Sequence, residues 1–183
     1  MSDATTHIGP DSTMQQVLEA FPGARRALFR QYHIGGCSSC GFSPTETLGA
    51  LCARNGNLAV AEVLAQLRKS HEQDQQVLIS PSDLAERLRQ PGPPRLLDIR
   101  SREEWEAAHL EGARLLSQEL MQEILARWPR TEPFVICDHD GRQGLDAAAY
   151  FAGHGFTQAR CLRGGIDAWS REVDPTVPRY ALA

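Results

Sequence analysis

The strongest constraint on the fold is a change of pattern along Phe134-Val135-Ile136-Cys137-Asp138-His139-Asp140-Gly141-Arg142-Gln143-Gly144-Leu145-Asp146-Ala147-Ala148. An apolar run gives way to a short polar loop with glycine, which leads into an alanine-rich segment. This order reads as a buried strand, a tight turn and a helix start. Such a turn gathers backbone N–H groups at a helix N-terminus, making a cradle for an anion or a thiolate.

Strands and helices alternate on both sides of that loop. Val77-Leu78-Ile79 is expected as a strand, and Ser80-Pro81-Ser82-Asp83 opens a helix carrying Leu84 and Leu88. A Pro91–Pro94 turn leads to the strand Arg95-Leu96-Leu97, and Ser101 with Glu104 caps the next helix. A short strand over 113–116 and a helix over 119–128 precede the central strand. A helix over 147–152, a strand over 159–162 and a helix opened by Gly164-Gly165 follow it. The alternation predicts an α/β domain, a parallel sheet flanked by helices, with sites at the carboxyl ends of strands. Cys161 is expected in the core, and Trp128 and Trp169 are expected to cover the sheet.

The N-terminal part has a helical period instead and predicts a small all-α domain. Residues 1–10 read as a flexible lead, residues 11–69 as the helical domain, residues 70–76 as helix tail and linker, and residues 77–183 as the sheet domain. Ser12-Thr13-Met14-Gln15 and Ser43-Pro44-Thr45-Glu46 have capping-box spacing. Pro22 suits the first turn of a second helix, and Asn57 is expected to cap a final one. At 183 residues the chain is long enough for two such domains.

Cys37-Ser38-Ser39-Cys40 stands just before an expected helix start, where thiolates are stabilised and reactive. The pair reads as a redox or persulfide dithiol: one sulfur attacks and the other resolves, or one carries a sulfane sulfur. Cys52 lies beside Leu48 and Leu51 and reads as a core thiol. One such pair offers two ligands where zinc or an iron–sulfur cluster takes four, so no cofactor is expected. The alternative is zinc or a cluster completed by His33 and Cys52, or by a second chain. No metal is expected at Asp138-His139-Asp140, because neighbours on a sharp turn point apart.

The chain has five cysteines, an odd number, which argues against a secreted disulfide framework. The first 13 residues lack the plan of a secretory signal, and no apolar run reaches membrane-spanning length, so a cytoplasmic protein with no membrane association is expected. The net charge of −4 and the absence of a basic run weigh against a nucleic-acid partner.

Taken together, several motifs resemble the rhodanese domain over about residues 77–180. They are Leu97-Asp98-Ile99-Arg100, Glu103-Glu104-Trp105, His109-Leu110-Glu111-Gly112-Ala113, Gly153-His154-Gly155-Phe156, Leu162-Arg163-Gly164-Gly165-Ile166-Asp167-Ala168-Trp169, and the tail Val173-Asp174-Pro175 to Pro178-Arg179-Tyr180. Residues 11–69, with Phe21-Pro22, His33-Ile34-Gly35, Cys37, Cys40 and Glu46-Thr47-Leu48, resemble the small helical DUF1858-type domain. That second resemblance implies a redox disulfide. The rhodanese resemblance implies structural support from Asp98, Arg100 and His109, and an active loop of pattern Cys-x-x-Gly-x-Arg that carries a persulfide.

The loop departs from that pattern. With Cys137 at the nucleophile position, Arg142 meets the arginine spacing but Asp140 replaces the glycine. With Asp138 there, Gly141 meets the glycine and Gln143 replaces the arginine. The flanking Ala147-Ala148, Phe151 and Gly155 fit the count from Asp138, and strand alternation lets only one of the two residues enter the cradle. A carboxylate cannot form a persulfide. The expectation is a rhodanese-like docking or anion-binding domain without sulfurtransferase catalysis, beside a dithiol domain that handles sulfur or thiol redox. A sulfur-donor protein, a thiol-redox protein or a small sulfur species is its expected partner. Arg142 is a candidate contact for an anionic group. The competing readings are a sulfurtransferase using Cys137 with Arg142, and a non-catalytic interaction protein.

Overall fold

A computed structural model of the chain describes residues 7–35 and 41–180. Cys37 and Cys40 lie outside the described residues. The chain divides into two compact units, residues 1–75 and 76–183.

The first unit is helical: α1 (Met14–Ala20), α2 (Ala24–Tyr32), α3 (Leu48–Arg54) and α4 (Val60–Val77). Met14, Val17, Leu28, Leu48, Leu51, Cys52 and Leu67 are buried together in its core. Several expected helix ends move. The α1 capping box is Thr13 with Gln16, not Ser12 with Gln15, because the Ser12 hydroxyl accepts from Gly9 N at 3.0 Å. Likewise α3 begins at Leu48 under a Thr47 cap, since Ser43 turns onto Thr45 N and Glu46 pairs with Arg54 at 2.6 Å. The two N-termini are pinned side by side, with Met14 N donating to Glu46 O at 2.8 Å and Leu48 N to Ser12 O at 2.9 Å. The second helix starts at Ala24 rather than at Pro22, after a turn in which Ala24 N donates to Phe21 O.

Asn57 does not cap α4. It sits at φ 53° and closes the end of α3, where Leu58 N donates to Cys52 O at 3.0 Å. The stretch 70–76, expected as helix tail and linker, is helical throughout, as α4 runs on to Val77. Its Glu and Gln residues are good helix formers. It also has tertiary partners in the first unit: Asp74 is buried and paired with Arg26, and His71 meets the Phe21 ring edge-on at 5.5 Å.

The second unit is α/β. A five-stranded parallel sheet of order β1-β5-β4-β2-β3 is built from β1 (Leu78–Ile79), β2 (Arg95–Asp98), β3 (Arg114–Leu115), β4 (Phe134–Cys137) and β5 (Ala159–Leu162). Helices α5 (Pro81–Leu88), α6 (Arg102–Ala107), α7 (Gln118–Arg127), α8 (Arg142–Gly153) and α9 (Gly165–Glu172) connect and flank the strands. The Ser101–Glu104 capping box of α6 is present, and α8 starts at Arg142, five residues before the alanine run.

The strands separate two apolar clusters by simple alternation. Phe134 and Ile136 of β4 join Leu97, Cys161, Leu145, Ala148 and Phe151 on the α8 side. Val135 and Cys137 join Leu84, Leu96, Leu162, Ile166 and Trp169 on the other. The residue after Cys137 therefore faces the N-terminus of α8. Among the described residues, no helix is long and apolar enough to cross a membrane.

Candidate functional site

The site lies at the carboxyl end of β4, the central strand. Asp138 is 2% exposed, and its carboxylate accepts three backbone amides. Gly141 N donates to Oδ1 at 2.7 Å, while Gln143 N and Gly144 N donate to Oδ2 at 2.8 and 3.0 Å. The first amides of a helix lack partners within the helix. Gly141, the α8 N-cap, offers no side chain for them, so Asp138 does the capping from outside the helix. Burial pushes the Asp138 carboxyl above the ordinary range, and the amides of Gly144, Gly141 and Gln143 pull against that shift.

Close packing explains the glycines. A Cβ on Gly144 would stand 2.8 Å from the Cys161 Sγ and 3.2 Å from the Asp138 Oδ1. Gly141 sits at φ +86°, where a side chain is strained, and a Cβ there would lie 2.8 Å from Gly164 N. The outer side of the loop is held by α9, whose Ile166 N and Asp167 N donate to the carbonyls of Asp138 and His139 at 2.9 and 3.1 Å.

The other loop side chains point elsewhere. Arg142, with its side chain 71% exposed, pairs with Asp140 at 3.4 Å, and Asp140 Oδ1 accepts from Arg142 N at 3.0 Å. The His139 ring lies against Tyr180, with centroids 4.6 Å apart. Ile99, Arg100, Ser101, Glu104, Asp138, His139, Asp140, Arg142 and Gln143 line a cleft of about 340 Å³. Cys137 is fully buried among the apolar side chains of the opposite face, and burial raises its thiol pKa far above the ordinary value. That environment is the reverse of the electropositive, accessible surroundings that activate a thiol.

Asp98 and Arg100 form a buried pair at 2.6 Å. The guanidinium also donates to Ala108 O at 2.7 Å and to the Tyr180 hydroxyl at 2.9 Å. Burial disfavours its charge, but Asp98 and Tyr180 hold the Arg100 pKa above its usual value. His109 is exposed and stacks on Trp105 at 4.2 Å, its Nδ1 2.7 Å from Trp105 O, away from the loop. Cys161 is buried beneath the loop, its Sγ 3.5 Å from Gly141 O. In the sequence, Tyr180 belongs to the tail motif and carries no mark of a site residue. Its contact with Arg100 spans 80 positions, and no local pattern marks it. Among the described residues, no group of three or more His, Cys, Asp or Glu side chains could hold a metal ion.

Comparison with known proteins covers this second unit. The family model of the rhodanese-like domain matches residues 80–172. The probable adenylyltransferase/sulfurtransferase MoeZ of Mycobacterium tuberculosis is 32% identical over 104 residues, which are 56% of this chain and 26% of that protein, so the chain spans 26% of that relative's length. The thiosulfate sulfurtransferase GlpE of Ectopseudomonas mendocina is 31% identical over 91 residues, 50% of this chain and 82% of that protein. Among solved structures, a rhodanese-like domain protein from Staphylococcus aureus is similar over 57% of this chain and 98% of its own, with 21% identity and a TM-score of 0.47.

Proposed function

The chain belongs to the rhodanese-like domain family through residues 80–172, and we propose that it handles sulfur or thiol redox through Cys37 and Cys40 while its rhodanese-like domain serves as a non-catalytic docking module. One observation carries the second half of this reading. The three amides that would steady a persulfide already donate to the Asp138 carboxylate. A carboxylate has no sulfur to donate or accept, so persulfide transfer at this loop lacks its nucleophile. With the amides engaged, the cradle is closed to an incoming anion too, and an external anion is left the exposed Arg142. The placement of Cys137 supports the same reading, since a thiol packed among Leu84, Leu96 and Ile166 has neither charge support nor access.

Relatives named as sulfurtransferases set the chemical setting. The dithiol of Cys37 and Cys40 supplies the thiols in this reading, and the partner is a sulfur-donor or thiol-redox protein, or a small sulfur species. The test is incubation of the full chain with a persulfide donor, followed by peptide mass spectrometry. One added sulfur atom on Cys37 or Cys40, with no thiosulfate:cyanide turnover, is the expected result. An adduct on Cys137, turnover abolished by Cys137→Ser, or no adduct on either Cys37 or Cys40 overturns it. As a positive control, Asp138→Cys with Gln143→Arg is expected to create turnover, because it returns a thiol to the amide cradle.

A further inference from the structure

The segment after α9 carries the tail motif Val173-Asp174-Pro175 to Pro178-Arg179-Tyr180, and its contacts reach two separate surfaces of the second unit. Its backbone is tied near α9 by Ser170 Oγ donating to Val177 O at 2.6 Å and by Asp174 N donating to Trp169 O at 3.1 Å. Thr176, Val177 and Pro178 then line a groove of about 670 Å³ with Leu88, Leu110 and Trp169. Among the described residues, the backbone of 178–180 makes no backbone hydrogen bond, and side chains hold the segment instead. Arg179 pairs with Asp167 at 2.6 Å at the surface.

Tyr180 makes the inward contacts. Its hydroxyl accepts from Arg100 Nη1 at 2.9 Å and donates to Glu104 Oε1 at 2.7 Å, and its ring lies against His139. Arg100, Glu104 and His139 are all walls of the cleft beside the Asp138 loop. The same segment thus lines the groove with residues 176–178 and braces the cleft with residue 180. Ala108 touches both, since it lines the groove and its carbonyl accepts from Arg100 Nη2.

We infer that residues 174–180 form a strap latched by Tyr180, and that unlatching it opens the cleft beside the loop towards the groove. The latch is built for release. A single hydroxyl joins the strap to both Arg100 and Glu104, whereas Arg100 keeps its bonds to Asp98 and Ala108 when Tyr180 leaves. Glu104 keeps the Ser101 amide at 3.0 Å. Opening therefore leaves the buried ion pair and the α6 cap intact. The inference is independent of whether the loop carries chemistry, because it concerns access and not the reacting group.

Hydrogen exchange on the full chain tests it, comparing wild type with Tyr180→Phe and Tyr180→Ala. In Tyr180→Phe, the Gly141, Gln143 and Gly144 amides beside the cleft are expected to exchange about two- to tenfold faster, the range for one lost hydrogen bond, while the Ser101 amide, still held by Glu104, keeps its rate. Tyr180→Ala, which also removes the ring from His139, is expected to exchange faster still, with the β4 amides unchanged in both. Equal rates in all three proteins overturn the inference. So does an equal acceleration of the β4 amides, which would make Tyr180 an ordinary contributor to global stability.

Discussion

Cys137 and Asp138 are neighbours in the chain and face opposite sides of the sheet. The thiol is packed among Leu84, Leu96 and Trp169, while the carboxylate accepts the amides of Gly141, Gln143 and Gly144. The two residues therefore cannot exchange roles without a one-residue slip of β4, which would drive Phe134 and Ile136 out of their cluster.

The capping role of Asp138 sets its stability effect. Asn at this position has one acceptor oxygen for three donors, so Asp138→Asn leaves an amide facing an amide. A loss of about 1–3 kcal/mol is expected, and Asp138→Ala, which satisfies none of the three, should lose more. Urea denaturation of the full chain checks the order. An Asp138→Ala protein as stable as wild type would show that water replaces the carboxylate without cost.

Buried thiols should be silent in the native protein. Cys52, Cys137 and Cys161 are all buried, and burial raises the thiol pKa of each. Native-state titration with a thiol reagent, mapped by mass spectrometry, should leave these three unmodified until denaturant is added. Rapid labelling of Cys137 in the native state would contradict its placement on the apolar face.

Two glycines should behave in opposite ways. A Cβ on Gly165 would lie 2.4 Å from the His139 carbonyl oxygen at φ +59°, where α9 receives the loop. Gly165→Ala is expected to cost more than the ~1–2 kcal/mol of left-handed strain alone. Gly153, at the end of α8, has nothing within 4 Å of its Cβ position, and Gly153→Ala should be neutral or stabilising by about 0.4–1 kcal/mol. Thermal melts of the two variants separate them.

The strap should respond to acid. The Tyr180 hydroxyl bond holds the Glu104 carboxyl below its ordinary pKa. A group whose folded pKa is depressed contributes stability above its unfolded pKa and loses it as pH falls through the folded value. Wild type should therefore lose its advantage over Tyr180→Phe on acidification below the ordinary glutamate range. Parallel denaturation curves at neutral and acid pH measure this, and an advantage independent of pH would remove Glu104 from the latch.

Much of the site was legible before folding. The apolar run ending at Cys137, the polar loop and the alternation of β4 located the cradle, and the flanks of the loop favoured Asp138 over Cys137. The helix ends were less legible, because capping depends on which hydroxyl is free. Ser12 and Ser43 carry suitable side chains but turn onto Gly9 N and Thr45 N, leaving Thr13 and Thr47 to cap. The polar run 70–76 has no apolar stripe to announce a helix, and its tertiary partners Arg26 and Phe21 lie some fifty residues upstream.

By itself, the amino-acid sequence determined the α/β order of the second unit and the opposed faces of residues 137 and 138, since both follow from periods of two and of 3.6 residues along one short stretch. Tertiary structure alone decided that three amides close on the Asp138 carboxylate, that α9 holds the loop from outside, and that Tyr180 reaches Arg100 across 80 positions. Those contacts are made where strand ends and helix starts converge, and a linear pattern records the period of each element but not which distant donor meets which acceptor.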